Sequence, residues 1–124
     1  MESGSVLTAG ARQVGKTYIV RKFGQQYKSF VEINFYENKD ARSLFENAKN
    51  SEDILLRISA VANAPLIPGE TLIFLDEVQE CKDIVTAIKF LVDEGSYRYI
   101  LSGSLLGVDL KDVRSVPVGY MEVI

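Results

Sequence analysis

Histidine is absent from this chain of 124 residues, and cysteine occurs once, at Cys81. Without an imidazole there is no His general base, no Ser-His-Asp triad and none of the common zinc sites. A single thiol forms no disulfide within the chain and no metal centre by itself, which fits a reducing, cytoplasmic setting. Long hydrophobic runs are also lacking, and none approaches the roughly 18 residues of a membrane-spanning helix. The opening MESGSV has neither the basic nor the apolar stretch of a secretion signal. A basic excess is missing too: 14 Lys and Arg stand against 17 Asp and Glu, for a net charge of −3. A general phosphate-binding surface for nucleic acid is therefore not expected.

What is present is ordinary globular material, 47% hydrophobic and 25% charged, in a length that suits one domain. Val6, Leu7 and Thr8 form a short apolar run that stops at Gly10 and reads as a brief buried strand. Residues 15–23 read as a helix with Tyr18, Ile19, Val20 and Phe23 on one side, closed by Gly24. FVEINF, residues 30–35, alternates as a strand should. The pattern turns helical over residues 38–62, with Ser51 as an N-cap, and breaks at Pro65, Pro68 and Gly69. TLIFL, residues 71–75, is apolar throughout, as in a strand covered on both faces. Ile84, Val85, Ile88, Leu91 and Val92 mark an amphipathic helix ending at Gly95; strands follow at residues 97–101 and 116–124. Alternating strands and helices predict a three-layer α/β fold around a mostly parallel five-stranded sheet.

The first motif with chemistry is GARQVGKT: Gly10, Ala11, Arg12, Gln13, Val14, Gly15, Lys16 and Thr17. It fits G-x-x-x-x-G-K-S/T at every defined position. Backbone N–H groups must curl around a phosphate, and the two glycines permit the angles and the close approach. The helix that follows points its positive dipole end at the same anion. Lys16 is expected on the β- and γ-phosphates and the Thr17 hydroxyl on Mg²⁺. The plainer alternative is a glycine-rich turn containing Lys-Thr. A preceding apolar strand and a following helix favour the phosphate loop.

The second motif is LIFLDE, with Asp76 and Glu77 at the end of a buried strand. Successive strand side chains point to opposite faces, so the two acids are expected to meet different surroundings. Asp76 suits Mg²⁺ through its hydration shell, and Glu77 suits the attacking water. The plainer alternative is that the acids end the strand or cap the next helix. One strand lies between the phosphate loop and this acidic strand, and another, ending at Ser102, follows it. In P-loop enzymes with a catalytic Glu beside the Mg²⁺ Asp, the tip of an inserted strand holds a polar sensor. Ser102 or Ser104, in LSGS, is read either as that sensor or as a plain turn. Asn34 is read either as a hydrogen-bonding restraint on Glu77 or as an ordinary polar strand end. Asn38-Lys39-Asp40 approaches the guanine-reading N-K-x-D, but Ala41 stands in place of its Asp, so GTP selectivity is not supported.

GARQVGKT, IFLDEVQ and LSGSLL, in this order, resemble a family of prokaryotic AAA-type P-loop ATPases over nearly the whole chain. The resemblance implies strand order 5-1-4-3-2, with Lys16 and Thr17 on phosphate and Mg²⁺ and Asp76 on Mg²⁺. It also implies Glu77 as base and Ser102 near the sensor position. Such chains usually continue into a C-terminal domain of unknown function. Residues 1–124 are therefore expected to be a single truncated core, with the lid and C-terminal domain absent and 1–5 read either as a true N-terminus or as a scar from cutting a longer chain. Any homo-oligomer or protein partner would then be reached through the missing part. Arg114 is the best candidate for an arginine finger, against the plainer reading of a solvated Arg. The leading expectation is Mg²⁺-dependent ATP hydrolysis, catalysed by Glu77, Lys16 and Ser102. The alternative is a nucleotide-gated switch with little turnover; a small-molecule kinase is weaker, since no acceptor site is visible.

Overall fold

The computed structural model describes residues 13–103 and 121–123. The expected strand at residues 6–8 lies outside them, as do Gly10, Ala11, Arg12, Ser104 and Arg114. The central strand is β2, Thr71–Asp76, in which every residue is buried, as its unbroken apolar run predicts. β1, Ser29–Asn34, runs parallel to it along one side and alternates buried with half-buried residues. β3, Arg98–Leu101, runs parallel along the other side. The last strand, β4, Met121–Val123, pairs in parallel with β3, giving a four-stranded sheet ordered β1-β2-β3-β4 among the described residues.

Among the described residues the run β3-β2-β1 follows the 4-3-2 part of the expected order. Tyr99 and Leu101 take Met121 and Val123 as their partners, where the expected order sets the strand at residues 6–8, which lies outside the described residues. β3 carries fully buried Tyr99 and Leu101, so its open edge needs a ladder partner for N–H and C=O groups that water does not reach. β4 supplies it.

Helices cover both faces. On one side, α1, Gln13–Gly24, contributes Val20 to a cluster with Leu72, Phe74 and Ile100. On the other, α2, Ser51–Val61, and α3, Ile84–Glu94, bury Ile54, Ile58, Ile88 and Leu91 against Val31, Ile33, Ile73, Leu75, Tyr99 and Leu101. Each such fully buried aliphatic side chain contributes roughly 1.5–3 kcal/mol. The three layers and parallel sheet are compatible with a P-loop nucleotide-binding fold.

Three local expectations are corrected. Residues 38–62 are not one helix: a 3₁₀ turn at Lys39–Ser43 comes first, and Asn47, at φ 59°, leaves the helical region before α2 begins. The N-cap of α2 is Asn50 rather than Ser51. Its side chain accepts the Asp53 N–H at 2.8 Å, while Asp53 accepts the Lys49 N–H at 3.2 Å, a reciprocal pair that Ser51 does not form. Gly24 belongs to α1 instead of closing it as a left-handed cap. Its use is space, since a Cβ there would come within 2.9 Å of Phe30 Cγ. Gly95 does act as the left-handed cap of α3, at φ 79°, donating its N–H to Leu91 C=O.

Candidate functional site

Strand alternation assembles the site. Asn34 and Asp76 are register partners on β1 and β2, two residues on from Glu32 and Phe74 respectively. Ser102 follows β3 two residues after Ile100. All three therefore belong to the face that carries Leu72, Phe74 and Ile100, the face on which α1 packs. α1 holds Lys16 and the half-buried Thr17 in its first turns. The helix α1 and the acidic strand tip thus lie on one side of the sheet.

Asp76 is only 2% exposed, and Ser102 is wholly buried. The Ser102 hydroxyl donates to Asp76 Oδ1. Asn34 Nδ2 donates to Asp76 Oδ2 at 3.4 Å, while Asn34 Oδ1 accepts the N–H groups of Tyr36 and Glu37 at 2.9 and 3.0 Å. The reading of Asn34 as a restraint on Glu77 is corrected here: its amide is spent on Asp76, because the register sets those two side by side. Ser102 likewise meets the sheet's own carboxylate.

Glu77 leaves the strand at once. Its backbone is left-handed, φ 57° and ψ 50°, and the 3₁₀ turn Val78–Glu80 follows. Val78 N–H donates to Ser102 C=O at 3.0 Å, and Ser102 N–H donates to Leu75 C=O at 3.0 Å, so the tips of β2 and β3 are stitched together. Glu77 remains 7% exposed. Both acids are buried, and it is the turn more than the strand alternation that separates their surroundings. Gln79 Nε2 donates to Glu77 Oε1 at 2.8 Å. Sequence reasoning does not find Gln79, since only the 3₁₀ turn folds it back onto Glu77.

Electrostatics around the site are mixed. Arg21, one turn beyond Thr17 on α1, makes a two-pronged bond to Glu32 at 2.8 and 3.0 Å. That bond and the charge of Glu32 raise the guanidinium pKa, with Glu37 and Asp76 adding to the effect. An open cleft of about 710 Å³ lies at the edge beside Asn34, lined by Glu32, Glu37, Lys39 and Asp40 among others. Three carboxylates disfavour a polyphosphate there.

The donor set suits magnesium. Asp76 and Thr17 offer hard oxygens, and among the described residues no group of three or more His, Cys, Asp or Glu could enclose a metal ion. Magnesium is commonly held by one or two protein oxygens with water and phosphate completing its shell, so few protein ligands are needed. Ser102 and Asn34 would hold the Asp76 carboxylate in a fixed orientation for that task.

Among the described residues no helix is long and apolar enough to cross a membrane. Comparison with curated proteins returns no match, and neither does comparison with solved structures. A family model described as "AAA domain" matches residues 2–124, and the chain belongs to that family.

Proposed function

We propose that the chain binds ATP with Mg²⁺ and hydrolyses it to ADP and phosphate. The observation that carries this reading is the buried Asp76 at the tip of β2, fixed by Ser102 and Asn34 on the face where α1 packs. Membership in the AAA domain family supports nucleotide binding. The motif Gly10 to Thr17 would offer its backbone N–H groups to the phosphates, with Lys16 neutralising β- and γ-phosphate charge. Thr17 and Asp76 would hold Mg²⁺, which would supply positive charge against that of the phosphates.

Glu77 orients water and takes its proton at a carboxylate oxygen. The water oxygen bonds to the γ-phosphorus while the bond to the β–γ bridging oxygen breaks and ADP departs with that electron pair. Burial of Glu77 limits competing solvent. Ser102 keeps Asp76 aligned through its hydroxyl.

Calorimetry and phosphate release test the reading together. Lys16→Ala should abolish tight Mg-ATP binding without unfolding the chain. Glu77→Gln should keep binding and lower turnover roughly 10²–10⁴-fold, the range of a lost general base. Equal affinity of Lys16→Ala and parent would remove the phosphate-loop assignment. Binding by the parent with no phosphate release would leave a nucleotide-gated switch in its place.

A further inference from the structure

We infer that Gln79 is a positioning residue for Glu77 and that Gly103 provides the space it occupies. The inference rests on the proposed role of Glu77 as proton acceptor and goes beyond it by naming what aims the carboxylate.

A non-glycine residue at φ 57° is strained, so the neighbours of Glu77 must hold it there. They do so from two sides. Within the turn, Glu80 N–H donates to Glu77 C=O at 3.1 Å and Cys81 N–H to Val78 C=O at 3.0 Å. Across the sheet, Ser102 C=O accepts from Val78 N–H. This left-handed step takes the Glu77 side chain out of the strand's alternation. Its direction is then set by side-chain contacts, and Gln79 makes one through Nε2.

Gly103 explains how the amide fits. Its φ is +139°, a conformation open to glycine, and a Cβ there would overlap Gln79 Oε1 and come within 2.9 Å of Val78 N and 3.1 Å of Glu77 Cα. The residue after Ser102 is thus pressed against both ends of the Glu77–Gln79 pair. One peptide step separates the hydroxyl on Asp76 from the wall behind Gln79. The orientations of the magnesium carboxylate and of the base are set by consecutive residues of one strand tip.

The test uses the full chain in three measurements. Gln79→Met keeps length and loses the donor. It should lower turnover roughly 10- to 100-fold, the scale of a misplaced reacting group, with Mg-ATP affinity and melting temperature unchanged. In a Glu77→Gln background the same substitution should change turnover less than about twofold, because it acts through Glu77. In the nucleotide-free chain, the side-chain amide resonance lost in Gln79→Met identifies Gln79. Glu77→Gln and Gly103→Ala should each shift that resonance. Gln79→Glu, which sets carboxylate against carboxylate, replaces Met as the turnover probe if the Met variant fails to fold. An unmoved amide resonance, or a Gln79 effect that multiplies fully with Glu77→Gln, overturns the inference while leaving Glu77 as base. Unchanged turnover in Glu77→Gln alone overturns both.

Discussion

Asn34 stands directly across from Asp76 in the parallel register of β1 and β2, and its one side chain serves two purposes. The amide nitrogen reaches Asp76 Oδ2, and the amide oxygen takes the N–H groups that begin the turn after β1. The edge strand is thereby fastened to the carboxylate that the proposed chemistry assigns to magnesium.

Asn34→Ala should therefore raise the magnesium concentration needed for half-maximal ATP binding by roughly 10-fold or more, as lost support of a metal ligand does. Loss of the turn bonds should cost about 1 kcal/mol of stability. A magnesium titration at fixed ATP, paired with urea unfolding, separates the effects. Unchanged magnesium dependence with lowered stability would reduce Asn34 to a turn residue.

Tyr99 should tolerate Phe. Its ring is fully buried between the sheet and the helices α2 and α3, but its hydroxyl finds no hydrogen-bond partner among the described residues. Burial, with the charge of Glu94, pushes the phenol pKa up. A buried unsatisfied hydroxyl costs roughly 1–3 kcal/mol, so its removal should be neutral or should stabilise the fold by up to about 1 kcal/mol. Urea midpoints of parent and Tyr99→Phe decide it; a clear loss of stability would mean that the hydroxyl is solvated or bonded in solution.

How much of this was legible in the sequence depends on the range of the interaction. TLIFL announced a doubly covered strand because an unbroken apolar run is enough to require it. FVEINF marked a strand by its period of two. Asp76, Glu77 and Ser102 could be singled out by motif and position at strand ends. The choice of Asn50 over Ser51 as cap escaped, since it depends on Asp53 answering back to Lys49. The pairing of Asn34 with Asp76 escaped because register between strands 42 positions apart leaves no trace in local pattern. The same holds for Gly103 against Gln79, where only folding brings the two tips together.

Asp53 ties the start of α2 to pH. Its carboxylate accepts the Lys49 N–H and faces Arg57, which also reaches the carbonyls of Leu44 and Glu46 at 2.8 Å each. The backbone bond from Lys49, followed by Arg57, lowers the carboxyl pKa below its usual 3.8. A carboxyl depressed in the folded state adds stability above its unfolded pKa and loses it as pH falls through the folded value. The parent should thus exceed Asp53→Asn in urea midpoint by a constant margin from pH 7 down to about 5. That margin should shrink below 3.8, the ordinary value of the group. A margin independent of pH down to 2 would show that the charge of Asp53 contributes nothing.

Cys81 offers a reporter on the turn behind Glu77. It lies at the end of Val78–Glu80, is 6% exposed, and donates its N–H to Val78 C=O at 3.0 Å. Burial and, less strongly, the charge of Asp83 push its thiol pKa up to about 12. Alkylating reagents attack the thiolate, so at pH 8 roughly one molecule in 10⁴ is reactive even before burial blocks access. The folded chain should therefore react with iodoacetamide orders of magnitude more slowly than the chain in urea at the same pH. As this is the sole cysteine of the sequence, the signal has one source. Gly103→Ala, which crowds the same turn, should speed labelling without denaturant. Labelling of the parent at the unfolded rate would mean that the turn is open in solution, and the fixed direction of the Glu77 side chain would go with it.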